Sequence, residues 1–177
     1  SDYVINAQQA SHHLLDILVD ILDFSTIDAC TVELNKQLFN VPHLAAQLKV
    51  QLQHGAAQKG LKFAVELDEA LPRYLIGDSK RLLQILLNIT SNAIKYTASG
   101  KVEVRFNLLA EQDHSVTLEC SVQDSGVGID EAILPTLFDP FTQVDNSHTR
   151  ADSGVGLGLS ISQQLLQLMN SQLQVTS

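Results

Sequence analysis

Apolar residues recur at helical spacing in the first part of the chain, from residue 3 to about residue 28. The apolar positions of this stretch are Ile5, Leu14, Leu15, Leu18, Ile21 and Leu22. The pattern predicts one long helix, and its apolar stripe is wide enough to need a partner helix. Such a helix either packs on its own domain or forms half of a helical hairpin in a bundle.

Helical periodicity returns further along the chain, with recognisable ends. Pro42 can start a helix in its first turn, and Gly60 is expected to end it after residue 59. Asp78 is the expected cap of a long helix that runs through Tyr96. The core face of that helix is expected to carry Leu82, Leu83, Ile85, Leu86, Ile89 and Ala93. Further helices are expected at residues 130–137 and 156–169.

Alternating apolar residues bounded by turn residues predict strands between and after the helices. They are expected at residues 32–40, 61–67, 72–77, 101–110, 115–123 and 173–176. A polar turn at Glu111, Gln112 and Asp113 would join two of them as a hairpin. The elements together predict an α+β fold with a mixed, largely antiparallel sheet. The predicted domain boundary separates the long helix, residues 1–31, from residues 32–177.

The composition predicts a soluble piece with its own core, because hydrophobic residues make up 45% of the 177 residues. No apolar run approaches the roughly 18 residues of a membrane span, and the N-terminus has no signal-peptide pattern. The net charge of −9 argues against a broad nucleic-acid surface. Cys30 and Cys120 match no metal-binding spacing, and Cys120 is expected in the core.

The glycine turn after the strand at residues 115–123 is the first candidate for chemistry. Asp124 stands at the end of this strand, and Gly126 and Gly128 follow it. An ionised aspartate only accepts hydrogen bonds, so it could accept one from the exocyclic amine of a purine. The two glycines would let the backbone turn tightly and pass close to a ring.

A polar face on the helix before Tyr96 is the second candidate. Asn88 and Asn92 are four residues apart, so they share a helix face, and Lys95 lies on the same side. Amide oxygens are hard ligands suited to magnesium, which takes its other ligands from water and phosphates. Lys95 would offset phosphate charge.

Gly154, Gly156 and Gly158 open the last helix, where main-chain amides and the helix dipole suit a polyphosphate. A dinucleotide-binding Rossmann site is the rival interpretation, but a polar loop rather than a buried strand precedes the glycines. Phe138 and Phe141 are expected to be core anchors at the root of a mobile segment, residues 142–153.

Residues 88–97, 124–129, 138–141 and 154–158 together resemble the N, G1, F and G2 boxes of sensor histidine kinases. These kinases belong to the ATPase superfamily shared with gyrase B, MutL and the heat-shock chaperone. The resemblance covers residues 32–177, and the first helix resembles the second helix of the family's dimerisation and phosphotransfer hairpin. It implies a two-layer Bergerat-type α/β sandwich, ATP with magnesium as cofactors, and a lid at residues 142–153.

The resemblance also implies roles for individual residues. Asp124 would bind the adenine amino group, with Tyr96 near the ring. Asn88 and Asn92 would serve magnesium and the phosphates, and Lys95 a phosphate. The other implied nucleotide-binding residues are Gly126, Gly128, Ile129, Arg150, Gly154, Val155, Gly156, Leu157 and Gly158.

The chain departs from the family pattern in three places. His12 and His13 lack the Arg-Thr-Pro flank of a phosphoacceptor box, so the acceptor histidine is expected outside this chain. Ser153 replaces a glycine of the G2 box. The family usually has one more glycine turn and strand after the position of Ser177, which indicates a truncated catalytic domain.

The expected function is therefore that of the ATP-binding catalytic domain of a sensor histidine kinase of the hybrid type. The alternative is a regulatory interaction module with weak or no ATP turnover. A self-sufficient hydrolase is disfavoured, because Asn88 stands where the hydrolytic relatives carry a glutamate. The resemblance further implies a response-regulator receiver domain as partner, a homodimer in the full-length protein and a cytoplasmic location.

Overall fold

The computed structural model describes residues 33–142 and 156–177. The chain divides into a unit formed by Leu34–Ile129 and a second unit formed by Ser1–Glu33 with Asp130–Ser177. The predicted first helix, and the domain boundary placed at its end, fall outside the described residues and stay predictions. So do nearly all of the predicted lid and His12, His13, Arg150, Ser153, Gly154 and Val155.

The first unit begins with strand β1, Gln37–Asn40, and helix α1, Val41–Gln58. Asn40 caps the helix, since its side chain accepts a hydrogen bond of 2.9 Å from the His43 N–H. The helix ends at Lys59, and Gly60 then adopts a left-handed φ of 68°. The helix predicted from Pro42 is confirmed, whereas the strand predicted from residue 32 starts only at Gln37.

Two sheets follow from the strands of this unit. Strand β2, Lys62–Leu67, pairs in parallel with β4, Lys101–Gln112, and β4 pairs antiparallel with β5, Ser115–Asp124. Strand β3, Tyr74–Gly77, pairs antiparallel with β1. Since two of these three pairings are antiparallel, the predicted mixed, largely antiparallel arrangement is confirmed.

Helix α2, Ser79–Tyr96, packs with α1 over one face of the three-stranded sheet. Its cap is the buried Asp78, whose carboxylate accepts the N–H groups of Arg81 and Asn35, each at 3.0 Å. The core between the layers contains Val41, Leu44, Ala45, Leu48, Leu86, Val104 and Phe106. This two-layer unit confirms the predicted α+β class.

The other face of the sheet is polar. Arg105 lies between two acids, with Nε 3.0 Å from Glu66 and a terminal nitrogen 3.4 Å from Glu103. The hydrogen bond from Lys101 to Glu103, with the positive charge of Lys101 and Arg105, holds the pKa of the Glu103 carboxyl below its usual range. These alternate positions of β4 are exposed or half-buried because a strand directs successive side chains to opposite faces.

The hairpin turn differs from the prediction. Strand β4 continues through Gln112, so the turn is made by Asp113 and His114 rather than by residues 111–113. Asp113 adopts a left-handed φ of 40°, which aspartate tolerates better than most residues. An irregularity between Leu108 and Ala110 shifts the pairing register, and this shift cannot be read from alternation alone.

The second unit contains a 3₁₀ turn at Leu134–Thr136 and helix α3, Gly158–Leu168. The helix predicted over residues 130–137 is wrong, since only that short turn forms around Pro135, which has no N–H to donate. The strand predicted at residues 173–176 is also wrong, because these residues pair with no other strand of the described chain. Among the helices of the described residues, none has the length and apolarity needed to cross a bilayer.

Candidate functional site

Helix α2 separates an apolar face from a polar one. The buried residues of its apolar face are Ile85, Leu86, Thr90, Ala93 and Ile94. Asn88, Asn92 and Lys95 follow one another at helical spacing on the other side, and each is half-buried. The structure thus places these three predicted site residues on one face.

The end of α2 lies against the turn that follows β5. Asp124 is exposed, and its Oδ1 accepts a 2.8 Å hydrogen bond from the Gly126 N–H. A Cβ on Gly126 would lie 2.7 Å from the carbonyl oxygen of Tyr96 and 3.1 Å from Oγ1 of Thr97. Only glycine fits this contact. The contact brings the turn that carries Asp124 up to Tyr96, which lies in a distant part of the sequence.

Two hydroxyl side chains hold this contact, and the sequence analysis missed both. Thr97 is fully buried, and its Oγ1 donates a 2.7 Å hydrogen bond to the carbonyl of Ala93. Oγ of Ser125 accepts the Lys101 N–H at 2.9 Å, which ties the glycine turn to the start of β4. Ser125 stands between two motif residues, and this position was the only signal that could have identified it.

Lys95 and Tyr96 contact each other. The ammonium nitrogen of Lys95 lies 5.3 Å from the centre of the Tyr96 ring, within the range of a cation–π interaction. Tyr96 is 40% exposed. Tyr96, predicted to lie near the base, and Lys95, predicted to bind a phosphate, therefore form one connected surface.

The rest of the glycine turn is open to solvent. Gly128 adopts a φ of 74°, a left-handed conformation that favours glycine, and it is exposed. Val127 is 75% exposed, and Ile129 is half-buried. An apolar surface is thus available beside the Asp124 carboxylate.

In the second unit, the residues before α3 form a tight junction. The Phe141 N–H donates to the Gly156 carbonyl at 3.1 Å, and a Cβ on Gly156 would lie 2.7 Å from the carbonyl oxygen of Thr142. Gly156 has a φ of 76°, so two constraints favour glycine there. Leu157 is buried, and Gly158 is the first residue of α3.

Phe141 is not the core anchor that was expected. Phe141 is 63% exposed and its backbone has a left-handed φ of 65°, whereas Phe138 is half-buried. The bond to Gly156 fixes the backbone of Phe141, and the aromatic side chain points to solvent. The expectation for Phe141 was therefore wrong.

Two electrostatic features bear on the chemistry of the described residues. Cys120 is half-buried and packs against the core, as predicted, and burial, followed by the charge of Glu119, raises the pKa of its thiol to about 12. The described residues hold no group of three or more histidine, cysteine, aspartate or glutamate side chains that could bind a metal.

Comparison with known proteins gives concordant matches. Residues 77–177 match the family described as histidine kinase-, DNA gyrase B- and HSP90-like ATPases. Hybrid signal transduction histidine kinase F of Dictyostelium discoideum is 38% identical over 163 residues, 92% of this chain and 15% of the relative. Sensor histidine kinase GacS of Pseudomonas protegens is 38% identical over 176 residues, 99% of this chain and 19% of the relative. The chain therefore spans less than a fifth of either protein.

The fold also matches a solved structure. Full-length ShkA, crystallised in complex with AMPPNP, is 29% identical in sequence with a TM-score of 0.79. The match covers 96% of this chain and 34% of the ShkA chain. It confirms the Bergerat-type sandwich that the motifs predicted.

Proposed function

Since this chain belongs to the family of histidine kinase-, DNA gyrase B- and HSP90-like ATPases, as its motifs predicted, we propose that it binds ATP with magnesium. We propose further that it positions the γ-phosphoryl group for transfer to a histidine outside this chain. The relatives named above are sensor and hybrid histidine kinases, which favours this activity over the others of the superfamily.

The contact between the Asp124–Gly126 turn and the end of α2 carries the proposal. The Gly126 N–H orients Oδ1 of Asp124, and no described protein group donates to Oδ2. An exposed carboxylate with one oxygen held by a backbone N–H can accept a hydrogen bond from the adenine amino group. Guanine carries a carbonyl at the equivalent position. Its carbonyl oxygen and the Asp124 carboxylate are both hydrogen-bond acceptors, so no hydrogen bond could form between them.

The base would lie against the apolar surface beside this carboxylate. Tyr96 offers a half-exposed ring, and Ile129 a half-buried aliphatic side chain. Gly128 leaves the backbone without a side chain where a ring would approach. Burial of the planar base on such a surface adds affinity that is independent of the Asp124 hydrogen bond.

Asn88 and Asn92 are the residues that would hold magnesium. Their amide oxygens and the phosphate oxygens form the kind of hard ligand set that this ion accepts alongside water. Magnesium, when bound, neutralises charge on the phosphates. Lys95 is one turn away on the same face and would bind a phosphate oxygen after leaving the Tyr96 ring.

On the motif alone, we propose that the amino end of α3 serves the triphosphate. The helix is 11 residues long and begins at Gly158. The helix dipole makes such an amino end favourable for an anion. Gly156, Leu157 and Gly158 would present main-chain amides, and Gly154, Val155 and Arg150 are proposed to contribute on sequence grounds.

Transfer is favoured over hydrolysis because α2 has no acid to activate water. The helix contains neither aspartate nor glutamate, and an asparagine amide cannot act as a general base at neutral pH. The chain's own contribution would then be to bind and orient the nucleotide for an external nucleophile.

The partners follow from this proposal. We propose the dimerisation and phosphotransfer hairpin of the same protein as the phosphoryl acceptor, and a response-regulator receiver domain as the next partner in the relay. A homodimer in the full-length protein and a cytoplasmic location, where ATP is supplied, belong to the same proposal.

Titration of the chain with ATP and magnesium in a calorimeter tests the nucleotide assignment. We expect ATP to bind more tightly than GTP and Asp124→Ala to weaken ATP binding by about tenfold to a hundredfold. A hydrogen bond to a charged group contributes about 1.5–3 kcal/mol, and each 1.4 kcal/mol is about tenfold in affinity.

Glu119→Ala is the matched control, because it removes an exposed carboxylate from the same strand. Its carboxylate accepts a 2.9 Å hydrogen bond from Asn107, away from the glycine turn. Equal affinity for ATP and GTP, or an unaffected Asp124→Ala, would refute the adenine role. A wild-type chain that binds no nucleotide would favour the regulatory module instead.

A further inference from the structure

The last turn of α2 carries site residues, yet other segments must satisfy its carbonyl groups. The last four carbonyls of a helix have no partner within it, and here they belong to residues 93–96. No glycine follows the helix directly, since its C-cap is Thr97 in an extended conformation. The helix therefore lacks the glycine-based termination that commonly satisfies these groups.

Lys59 supplies what the helix end lacks. It lies directly after α1, and its ammonium nitrogen donates to the carbonyls of Ile94 at 2.9 Å and Lys95 at 2.6 Å. Gly60 turns the chain with a φ of 68°, and the Leu61 N–H returns to the Ala56 carbonyl at 3.0 Å. The backbone that carries Lys59 is thus held by its own hydrogen bonds.

Three of the four terminal carbonyls are thus hydrogen-bonded. Thr97 Oγ1 bonds the carbonyl of Ala93, and Lys59 bonds the next two. The fourth, that of Tyr96, faces Gly126, where a Cβ would lie 2.7 Å away. The lysine therefore fixes the residues immediately before the carbonyl on which the Asp124 turn rests.

We propose that Lys59 is a positioning residue of the nucleotide site: it holds the end of α2, and so Tyr96 and Lys95, in register with the Asp124–Gly126 turn. It does this with two hydrogen bonds and with a positive charge at the negative end of the helix dipole. The inference rests on the proposed ATP binding. Without the ammonium group, the carbonyls of Ile94 and Lys95 accept hydrogen bonds from water instead, and the last turn of α2 frays.

The test compares Lys59→Met, which keeps the length and apolar stem but has no donor, with Lys59→Arg, which restores donors and charge. Lys49→Met is the matched control, since Lys49 is an exposed lysine of the adjoining helix. ATP affinity is measured with magnesium well below the unfolding temperature of each variant. We expect Lys59→Met to bind roughly tenfold more weakly, with recovery in Lys59→Arg and no change in Lys49→Met.

A second measurement needs no nucleotide. Amide hydrogen exchange at Tyr96 and Gly126 should accelerate in Lys59→Met and not in Lys49→Met. If Lys59→Met does not fold, Lys59→Ala, which also has no side-chain donor, replaces it in both measurements.

The outcomes separate the two proposals. Unchanged exchange at Tyr96 and Gly126 would overturn the positioning role whether or not ATP binds. Faster exchange with unchanged ATP affinity would leave Lys59 a structural cap only and would equally overturn it. A wild-type chain that binds no ATP, with exchange still sensitive to Lys59, would overturn the proposed function and with it the assignment of Lys59 to a nucleotide site.

Discussion

Gly126→Ala places one methyl group at the contact between the glycine turn and the end of α2. The added Cβ would lie 2.7 Å from the Tyr96 carbonyl oxygen and 2.8 Å from Oδ1 of Asp124. The carboxylate can rotate away, but the carbonyl belongs to a helix end and cannot. Forcing an extra carbon into such a site costs about 1–3 kcal/mol. For a protein of this size, that lowers the unfolding temperature by roughly 2–12 °C.

The same methyl group should weaken ATP binding by about tenfold or more, because the displaced Asp124 loses the orientation of a charged hydrogen bond. Thermal unfolding by circular dichroism and ATP titration measure the two effects separately. Gly55→Ala is the control: it lies within α1, and nothing is within 4 Å of its added Cβ. That variant should gain about 0.5–1 kcal/mol in stability and bind ATP as the wild type does. Wild-type stability and affinity in Gly126→Ala would refute the close contact with Tyr96.

Two further predictions concern the acceptor and the buried thiol. Incubated alone with γ-labelled ATP, the chain should carry no label on His12 or His13, and an added hairpin helix with its histidine should acquire acid-labile phosphate; label on either histidine by peptide mapping would contradict this. The thiol is tested at pH 8 in a Cys30→Ser background with an aromatic disulfide reagent. Cys120 should react far more slowly in the folded protein than in the protein unfolded by guanidinium, because burial raises its pKa to about 12. The thiol stays protonated to higher pH in the folded state than in the unfolded state, so its contribution to stability should fall as the pH rises from about 9 towards 12. Equal reaction rates in the folded and unfolded states would exclude the pKa shift.

Local signals predicted the helices of the first unit well. Pro42 lies in the first turn of α1 and Gly60 follows its end, while Asp78 caps α2. Each of these signals acts within about one helical turn, so it can be read without knowledge of the rest of the fold. The motifs likewise identified the glycine turn, the polar face of α2 and the family.

Elements that depend on a partner were predicted less well. Residues 130–137 have some helical periodicity, yet the chain forms only a short 3₁₀ turn around Pro135. Residues 173–176 have strand-like residues but no pairing partner among the described strands. The hairpin turn lies at Asp113 and His114, not at the predicted residues 111–113, because the pairing of β4 with β5 continues to Gln112. The extent of pairing depends on both strands and cannot be read from one of them.

The sequence by itself determined which residues are available for chemistry: a carboxylate and glycines after β5, and two amides with a lysine on one face of α2. Only the tertiary structure decided how they meet, through Gly126 against the Tyr96 carbonyl and Lys59 on the carbonyls of Ile94 and Lys95. Lys59 lies 35 residues from the nearer of these carbonyls along the chain. Helix periodicity and caps arise from interactions over a few residues, whereas such contacts exist only after α1, α2 and the sheet have packed around their shared core.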